Sequence, residues 1–568
     1  MKKIYIILVL AAFTTSSCEN FLDTEPVQKI AIEQYYTNEA GLTSALAGVY
    51  DPLGQETLYG NQLFFNLEIC TDEGYYARNT QISGPSVNSF DATDVNVSNM
   101  WYELYNGINR ANDLIAHIDL PTMDEDKRKV ILGEALFLRG YYYFLLVSKF
   151  GDVPLRLTPT TSPNQAALAK TPSTEIYAQI LKDMTEAEAK VSATKPLTAS
   201  RVYKTVVQGI LARVCLQMAG YPLMDNTKYA DALAWSKKVI DSGQHQLNIS
   251  FKTIAPTGQP ATYYNTFNPS IAANTPNNAY RQIFINAGED AYDTNESMWE
   301  IEFTGNRASD SYVEGGRLGN NIGITFSPAA TSPLVASMGH CYGFLKGTGK
   351  LFRSYDPAGN DLRRDWVLTT YTLNNSTGAR ANLAKTIQYG RDCGKWRREY
   401  ETLTPKNKNY TPINYPILRY ADVLLMYAEA ENQVNGPSAS AIEAVNKVRR
   451  RGYGQTNVSA AYALSDAATT VAASSKPSFQ LFIEDERMRE LCFEGTRRSD
   501  LIRWNKFVTT MNTVGADMAA APTTGTLTSG NQQYGGLGGK NVVEKHLLFP
   551  IPSLEISSNT LMTQNKGW

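Results

Sequence analysis

With 568 residues, 43% of them hydrophobic and 19% charged, the chain can bury a substantial core and is not a low-complexity polymer. Its formal net charge of −2 supplies no basic surplus for a phosphate backbone, which excludes a nucleic-acid-binding class. Tyrosine is abundant, at 33 residues against 20 phenylalanines and 7 tryptophans, a supply of amphipathic rings that serves both core packing and a binding surface.

The chain opens MKKIYIILVLAAFTTSSC: two lysines, an apolar run from Ile4 to Phe13, then small residues up to Cys18. The run is too short to span a bilayer and has the layout of an export signal, placed at residues 1–17. Cys18 directly after Thr15, Ser16 and Ser17 resembles the lipobox of a bacterial lipoprotein, although threonine stands three residues before the cysteine where leucine is commoner. Cys18 is therefore the expected lipid attachment site. No later segment approaches eighteen uninterrupted apolar residues, so the mature chain is expected to sit on a membrane rather than cross it.

Apolar residues return at three-to-four spacing over 32–50, 97–118, 124–150, 173–191 and 201–219, which predicts helices. The helix GEALFLRGYYYFLLVSKFG is apolar nearly all round and is expected to be sandwiched between others. Residues 211–243 read as two helices joined by a turn, like a tetratricopeptide unit, and a second such pair follows in YAEAENQVNGPSASAIEAVNKVRRRG. Between them, from about 243 to 416, Asn, Thr, Gly and Pro with scattered aromatics predict ordered loops on a helical scaffold formed by about 18–242 and 417–568. Inside that region SMWEIEFT alternates, predicting a half-buried strand with Trp299, Ile301 and Phe303 inward and Glu300 and Glu302 outward.

Chemistry-bearing motifs are scarce. The four histidines lack metal-ligand spacing, no GxSxG elbow occurs, and GFLKGTGK misses the phosphate-loop spacing by one residue. Beyond Cys18 the cysteines at 70, 215, 341, 393 and 492 form no CxxC pair, and Cys215 and Cys492 lie in apolar helical patterns as buried thiols. No cofactor, metal site or catalytic residue is expected. A glycosidase needs only two carboxylates, which no linear motif reveals, so that alternative stays open. The most charged stretch, ERMRELCFEGTRRSDLIRW, reads as one helix carrying Glu486, Glu490 and Glu494 on one face, with Arg487, Arg489, Arg497 and Arg503 as partners and Glu490–Arg497 as the leading pair. Interleaved Leu491, Phe493, Leu501 and Trp504 make it a packing element rather than an active site.

The order of these segments resembles the SusD/RagB family of Bacteroidetes outer-membrane lipoproteins. The pieces that carry the resemblance are YYTNEAGLTSALAGVYDPL, NGINRANDLI, GEALFLRGYYYFLLVSKFGDVPL, RYADVLLMYAEAENQV, AVNKVRRRG, ERMRELCFEGTRRSDLIRW and LFPIPSLEISSNTLMTQNKGW. The resemblance implies a mostly α fold in which tetratricopeptide-like helix pairs support loop-rich regions and a few short strands, over a single unit from 18 to 568. It also implies a lipid-anchored protein on the outer membrane, facing the exterior, that binds an oligo- or polysaccharide and hands it to a SusC-like TonB-dependent transporter. A peptide ligand, as in RagB-type members, is the alternative. TDEGYYARNTQISGPSVNSF lies near where the family places part of its site, and supplies Tyr75, Tyr76, Arg78, Asn79 and Phe90 as candidates. The mid-chain loops add Tyr263, Tyr264, Tyr312, Tyr342 and Phe344, while Trp101 and Trp299 are assigned to the core.

Overall fold

The computed structural model describes residues 35–78, 82–162, 167–249, 279–305, 315–454, 475–522 and 535–568. Cys18 and the proposed signal lie outside them. The longer helices are α1 (Glu39–Gly54), α2 (Val95–Ala116), α3 (Glu125–Phe150), α4 (Ser173–Lys190), α5 (Lys204–Ala219), α6 (Lys228–Asp241), α7 (Ala279–Gly288), α8 (Tyr420–Asn435), α9 (Ala439–Gly452), α10 (Lys476–Leu491), α11 (Arg497–Arg503) and α12 (Phe507–Ala519). The strands are β1 (Gly74–Tyr76), β2 (Ser297–Ile301), β3 (Leu345–Gly347), β4 (Tyr371–Leu373), β5 (Arg380–Asn382) and β6 (Tyr415–Arg419), paired as β1–β3, β2–β6 and β4–β5. The protein is thus mostly α, as expected.

Side-chain caps set several helix starts. Asp94 accepts from Asn96 N and Val97 N to begin α2, and Asp124 accepts from Lys127 N to begin α3. Asn38 caps α1 by accepting from Gly41 N, so this helix begins at Glu39; the start expected at 32 lies outside the described residues. The helices pack in succession, α1 on α2, α2 on α3, α3 on α4 and α5 on α6. α8 then docks on α6, so the two helix pairs that are remote in sequence are neighbours in space and the inserted loops project from a continuous helical array. α2 and α3 approach closely at Gly107, where a Cβ would lie 2.4 Å from the ring of Tyr142. α3 and α4 are locked by Arg139, whose Nε and Nη2 both donate to Asp183 at 2.8 Å. Although α3 is long and apolar enough to span a membrane, its apolar stretch from Ile131 onward is buried within the fold.

Trp101 and Trp299 are core residues at 1% and 0% exposure. Trp299 meets Phe137 and Tyr141 edge to face, at centroid distances of 5.4 and 4.9 Å. The expected alternation along β2 fails at Glu300, which is buried because Ser297 Oγ and Asn414 Nδ2 donate to its carboxylate; Glu302 is exposed. Cys70, Cys215, Cys341, Cys393 and Cys492 are buried free thiols.

The charged stretch is two helices rather than one. α10 ends at Leu491, the chain turns through Phe493 (φ 64) and Gly495 (φ 72), and α11 begins at Arg497. Glu494 therefore leaves the helical face. The expected local partners are mostly replaced by remote ones. Glu486 accepts from Arg363, Arg449 and Arg489; Glu490 from Arg363, Arg419 and Arg451; Glu494 from Lys395 and Arg419. Arg497 pairs with Asp72 instead of Glu490, through bonds of 2.7 and 2.8 Å. Arg487 holds Asp422 and Asp500, and Arg503 holds Glu429 and Asp500. Burial by itself would push the Glu486 carboxyl up, but Arg363, Arg489 and Arg449 overcome it and hold the group well below the usual carboxylate range. The stretch cross-links segments from 72 to 503, and its three glutamates are all engaged by cations.

Candidate binding site

β1 and β3 bring together the YYAR segment and the YGFLKG segment. Their antiparallel register sets Gly74 opposite Gly347, Tyr75 opposite Lys346 and Tyr76 opposite Leu345. The pairing extends one step further, with Ala77 N donating to Phe344 O at 2.9 Å. Tyr342 N and Phe344 N donate in turn to Asn320 O and Asn321 O at 2.7 and 2.9 Å, and the Asn321 amide donates to Asn61 at 2.7 Å. Gly343 sits at φ +59, and a Cβ there would lie 1.9 Å from Thr325 Oγ1, so this tight crossing admits only glycine. Backbone bonds to two separate segments thus fix the rings before any ligand arrives.

The result is a ladder of three half-buried rings. Tyr342 and Phe344, two residues apart, are parallel within 4° at a centroid distance of 5.0 Å; Tyr76 and Phe344 are within 14° at 5.4 Å. Buried Phe65, from a single π-helical turn at Leu63–Leu67, packs against Tyr76 and Phe344 at 5.8 and 5.3 Å. His340 meets Tyr342 edge-on at 4.4 Å. The exposed guanidinium of Arg78 lies 4.3 Å from the Phe344 centroid and 5.9 Å from that of Tyr342. Burial raises the Tyr76 hydroxyl, with Arg78 opposing. Burial also lowers His340, to about 4, helped by the positive charges of Lys408, Arg398 and Arg78, so the imidazole is neutral at pH 7. Parallel rings backed by a core and edged with donors match the apolar faces and hydroxyl edges of a sugar ring.

Of the expected site residues, the structure assembles Tyr76, Arg78 and Tyr342, together with Phe344. Tyr75 points the other way: at 3% exposure it packs with Ala77, Val514 and Met518, because neighbours on a strand face opposite sides. It is a core residue and not a platform. Phe90 is likewise elsewhere, packed against Trp568, His546 and Phe549 at 4.8, 5.7 and 5.9 Å, where it secures the C-terminus. Asn79, Tyr263, Tyr264 and Tyr312 lie outside the described residues. Sequence reasoning missed Phe65, His340 and Lys408. His340 shares the two-residue alternation of Tyr342 and Phe344 and could have been found that way; Phe65 and Lys408 are joined to the site only by tertiary contact.

A separate cleft of about 700 Å3 is lined in part by Tyr50, Arg201, Asp290, Tyr292, Glu300 and Glu302. Burial and then the charge of Glu302 raise the Asp290 carboxyl. Glu300, at the wall of this cleft, accepts from Ser297 and Asn414, and burial raises its carboxyl.

Comparison with known proteins bears on both halves of the chain. A family model described as the SusD family matches residues 334–568, and one described as starch-binding associating with outer membrane matches 20–216. SusD-like protein P25 of Formosa agariphila is 25% identical over 526 residues, which are 88% of this chain and 89% of that protein. A SusD homologue of Bacteroides thetaiotaomicron superposes with a TM-score of 0.78 at 27% identity, covering 94% of this chain and 98% of the other. A laminarin-binding SusD-like protein shares the fold with a TM-score of 0.64 at 20% identity, over 94% and 100% of the two chains. With both halves matched in order, and the same architecture over nearly the whole length, the chain belongs to the SusD/RagB family.

Proposed function

We propose that this protein is a cell-surface lipoprotein, anchored through Cys18, that captures an oligosaccharide on the Tyr76–Phe344–Tyr342 ladder and passes it to a SusC-like TonB-dependent barrel without chemical turnover. The observation that carries the reading is the ladder itself, three parallel, half-buried rings on a hydrogen-bonded support in a chain of this family. An aromatic side chain buries about 150–250 Å2 when fully enclosed, so covering one face removes roughly 80 Å2 from water, near 2 kcal/mol at about 25 cal/mol per Å2. Two or three such contacts, less the cost of ordering a flexible chain, give affinities from about millimolar to micromolar, weak enough to release the ligand onward. Oligosaccharides that reach several rings should therefore bind where monosaccharides do not.

Calorimetry with a panel of plant, algal and host oligosaccharides, and with mixed peptides as a separate arm, tests the reading. Tyr342→Ala is expected to weaken the oligosaccharide that binds by at least tenfold while the melting temperature stays close to that of the wild type. Binding confined to peptides, or sugar affinity indifferent to Tyr342→Ala, would contradict it. The transporter is tested by pulling the tagged protein from native membranes in mild detergent, where a co-purifying barrel is expected; recovery without one after crosslinking would count against that partner.

A further inference from the structure

The cation at the ladder has no counter-charge among the described residues. Arg78 makes no hydrogen bond and no ion pair among the described residues; its contacts are with the rings of Phe344 and Tyr342. Other arginines that lie over rings near the surface are each neutralised: Arg317 over Tyr410 also holds Glu56, Arg353 over Tyr389 holds Asp517, and Arg380 over Tyr371 holds Glu399. Arg398, beside His340, is closed off by two bonds to Glu401 at 2.7 and 3.0 Å. Lys408, by contrast, is exposed and without an ion-pair partner among the described residues, and its carbonyl shares the Asn320 amide with that of His340. Tyr76 and His340 accordingly feel only positive neighbours. Among the described residues, where arginines such as Arg391 and Arg498 that lack a carboxylate still donate to carbonyls, a guanidinium that rests on the binding rings with neither is left for the ligand to satisfy.

We infer that the ligand of this site is an acidic glycan, whose carboxylate or sulfate ester is held by the fork of Arg78 while Lys408 adds positive charge at the same edge. The inference rests on the glycan reading above and narrows it. A guanidinium laid on an aromatic face is weakly hydrated and already restricted in rotation, so little order is lost when its N–H groups meet two oxygens of one anionic group. A neutral sugar would stack on the same rings but leave that charge unmet. Uronate and sulfate share this chemistry, and matched pairs of probes separate them.

The test uses the full mature chain and two pairs of oligosaccharides: an oligogalacturonate with its carboxyl-reduced form, and a sulfated galactan oligosaccharide with its desulfated form. The acidic member of at least one pair is expected to bind at least tenfold more tightly than its neutral mate in 50 mM salt. That ratio should shrink in 500 mM salt, where exposed charges are screened over a few ångström. Arg78→Gln should abolish the ratio and Arg78→Lys should keep only part of it, since charge survives without the fork. The pair that responds identifies carboxylate or sulfate. Equal binding of acidic and neutral members, or a ratio unchanged in Arg78→Gln, overturns the acidic preference while leaving the glycan reading intact if Tyr342→Ala still weakens both. Failure of all four probes and of neutral glucans to bind overturns both.

Discussion

Glu490 offers the sharpest probe of the buried ion network. Its carboxylate is fully buried and accepts from Arg363 Nη1 and Arg419 Nη1, each at 3.1 Å, and from Arg451 Nη2 at 2.6 Å. Glu490→Ala removes that charge from among three guanidiniums that are themselves at most 1% exposed. Arg363 and Arg419 retain Asp361, Glu486, Glu494 and Glu296, whereas Arg451 retains, among the described residues, Glu296 alone. Deleting one partner of a buried pair costs about 3–5 kcal/mol because the other charge stays buried without it. At about 2.1 cal/mol/K per residue, a chain of this length unfolds with an entropy of about 1.2 kcal/mol/K, so the expected loss is a fall in melting temperature of about 3–4 °C. Scanning calorimetry and urea unfolding of Glu490→Ala and Glu490→Gln measure it, with the glutamine variant less affected because its amide still fills the space and accepts one bond. Lys237→Ala, which breaks an ion pair more than half exposed on both sides, is the control and should leave the midpoint unchanged. A Glu490→Ala protein as stable as that control would refute the claim that the network holds the helices together.

Glu73 is buried and its carboxyl is pushed up to about 8 by that burial, with the Phe493 N–H and Arg497 opposing. The folded protein therefore holds a proton that the unfolded chain releases near 4.3, so this group's contribution to stability is intact below that value and declines as pH rises towards 8, by at most about 1.4 kcal/mol per unit. Glu73→Gln should flatten the fall in stability between pH 5 and 8, and an unchanged slope would contradict the assignment. His245, His340 and His546, all lowered to about 4, act in the opposite sense, losing stability as pH falls from about 6.5 to 4. Phe90→Ala should lower the melting temperature by opening the cluster with Trp568 and Phe549, and leave oligosaccharide affinity within twofold, as calorimetry would show. Cys18→Ala should move the protein from the membrane fraction to the soluble fraction and abolish palmitate labelling; retention in the outer membrane would argue against the lipid anchor.

Much of the scaffold is legible in the sequence because helices 97–118, 124–150, 173–191 and 201–219 carry unbroken periodicity, and periodicity reports a local property. What misleads is pairing over distance. Glu490 and Arg497 are seven residues apart and suit a continuous helix, but Phe493 and Gly495 reverse the chain, and Arg497 swings to Asp72. Glu300 alternates as an outward residue, yet Asn414, more than a hundred positions away, arrives to bond it. The site shows the same limit. Tyr75 and Tyr76 have equal claims in composition, and only the register against Lys346 and Leu345 turns one into the core and the other onto the ladder. Phe90 belongs to the same segment as Tyr76 but folds back to the C-terminus, guided by rings that follow it by more than 450 positions.

The central claim, that the ladder is where ligand is taken up, is tested most directly by a crystal structure of the protein with an oligosaccharide found to bind in calorimetry. At least one sugar ring is expected within about 4 Å of Tyr342, Phe344 or Tyr76, with a polar group of the ligand at the Arg78 guanidinium. A sugar bound instead in the cleft between Tyr50, Asp290 and Tyr292, with the ladder empty, would contradict it.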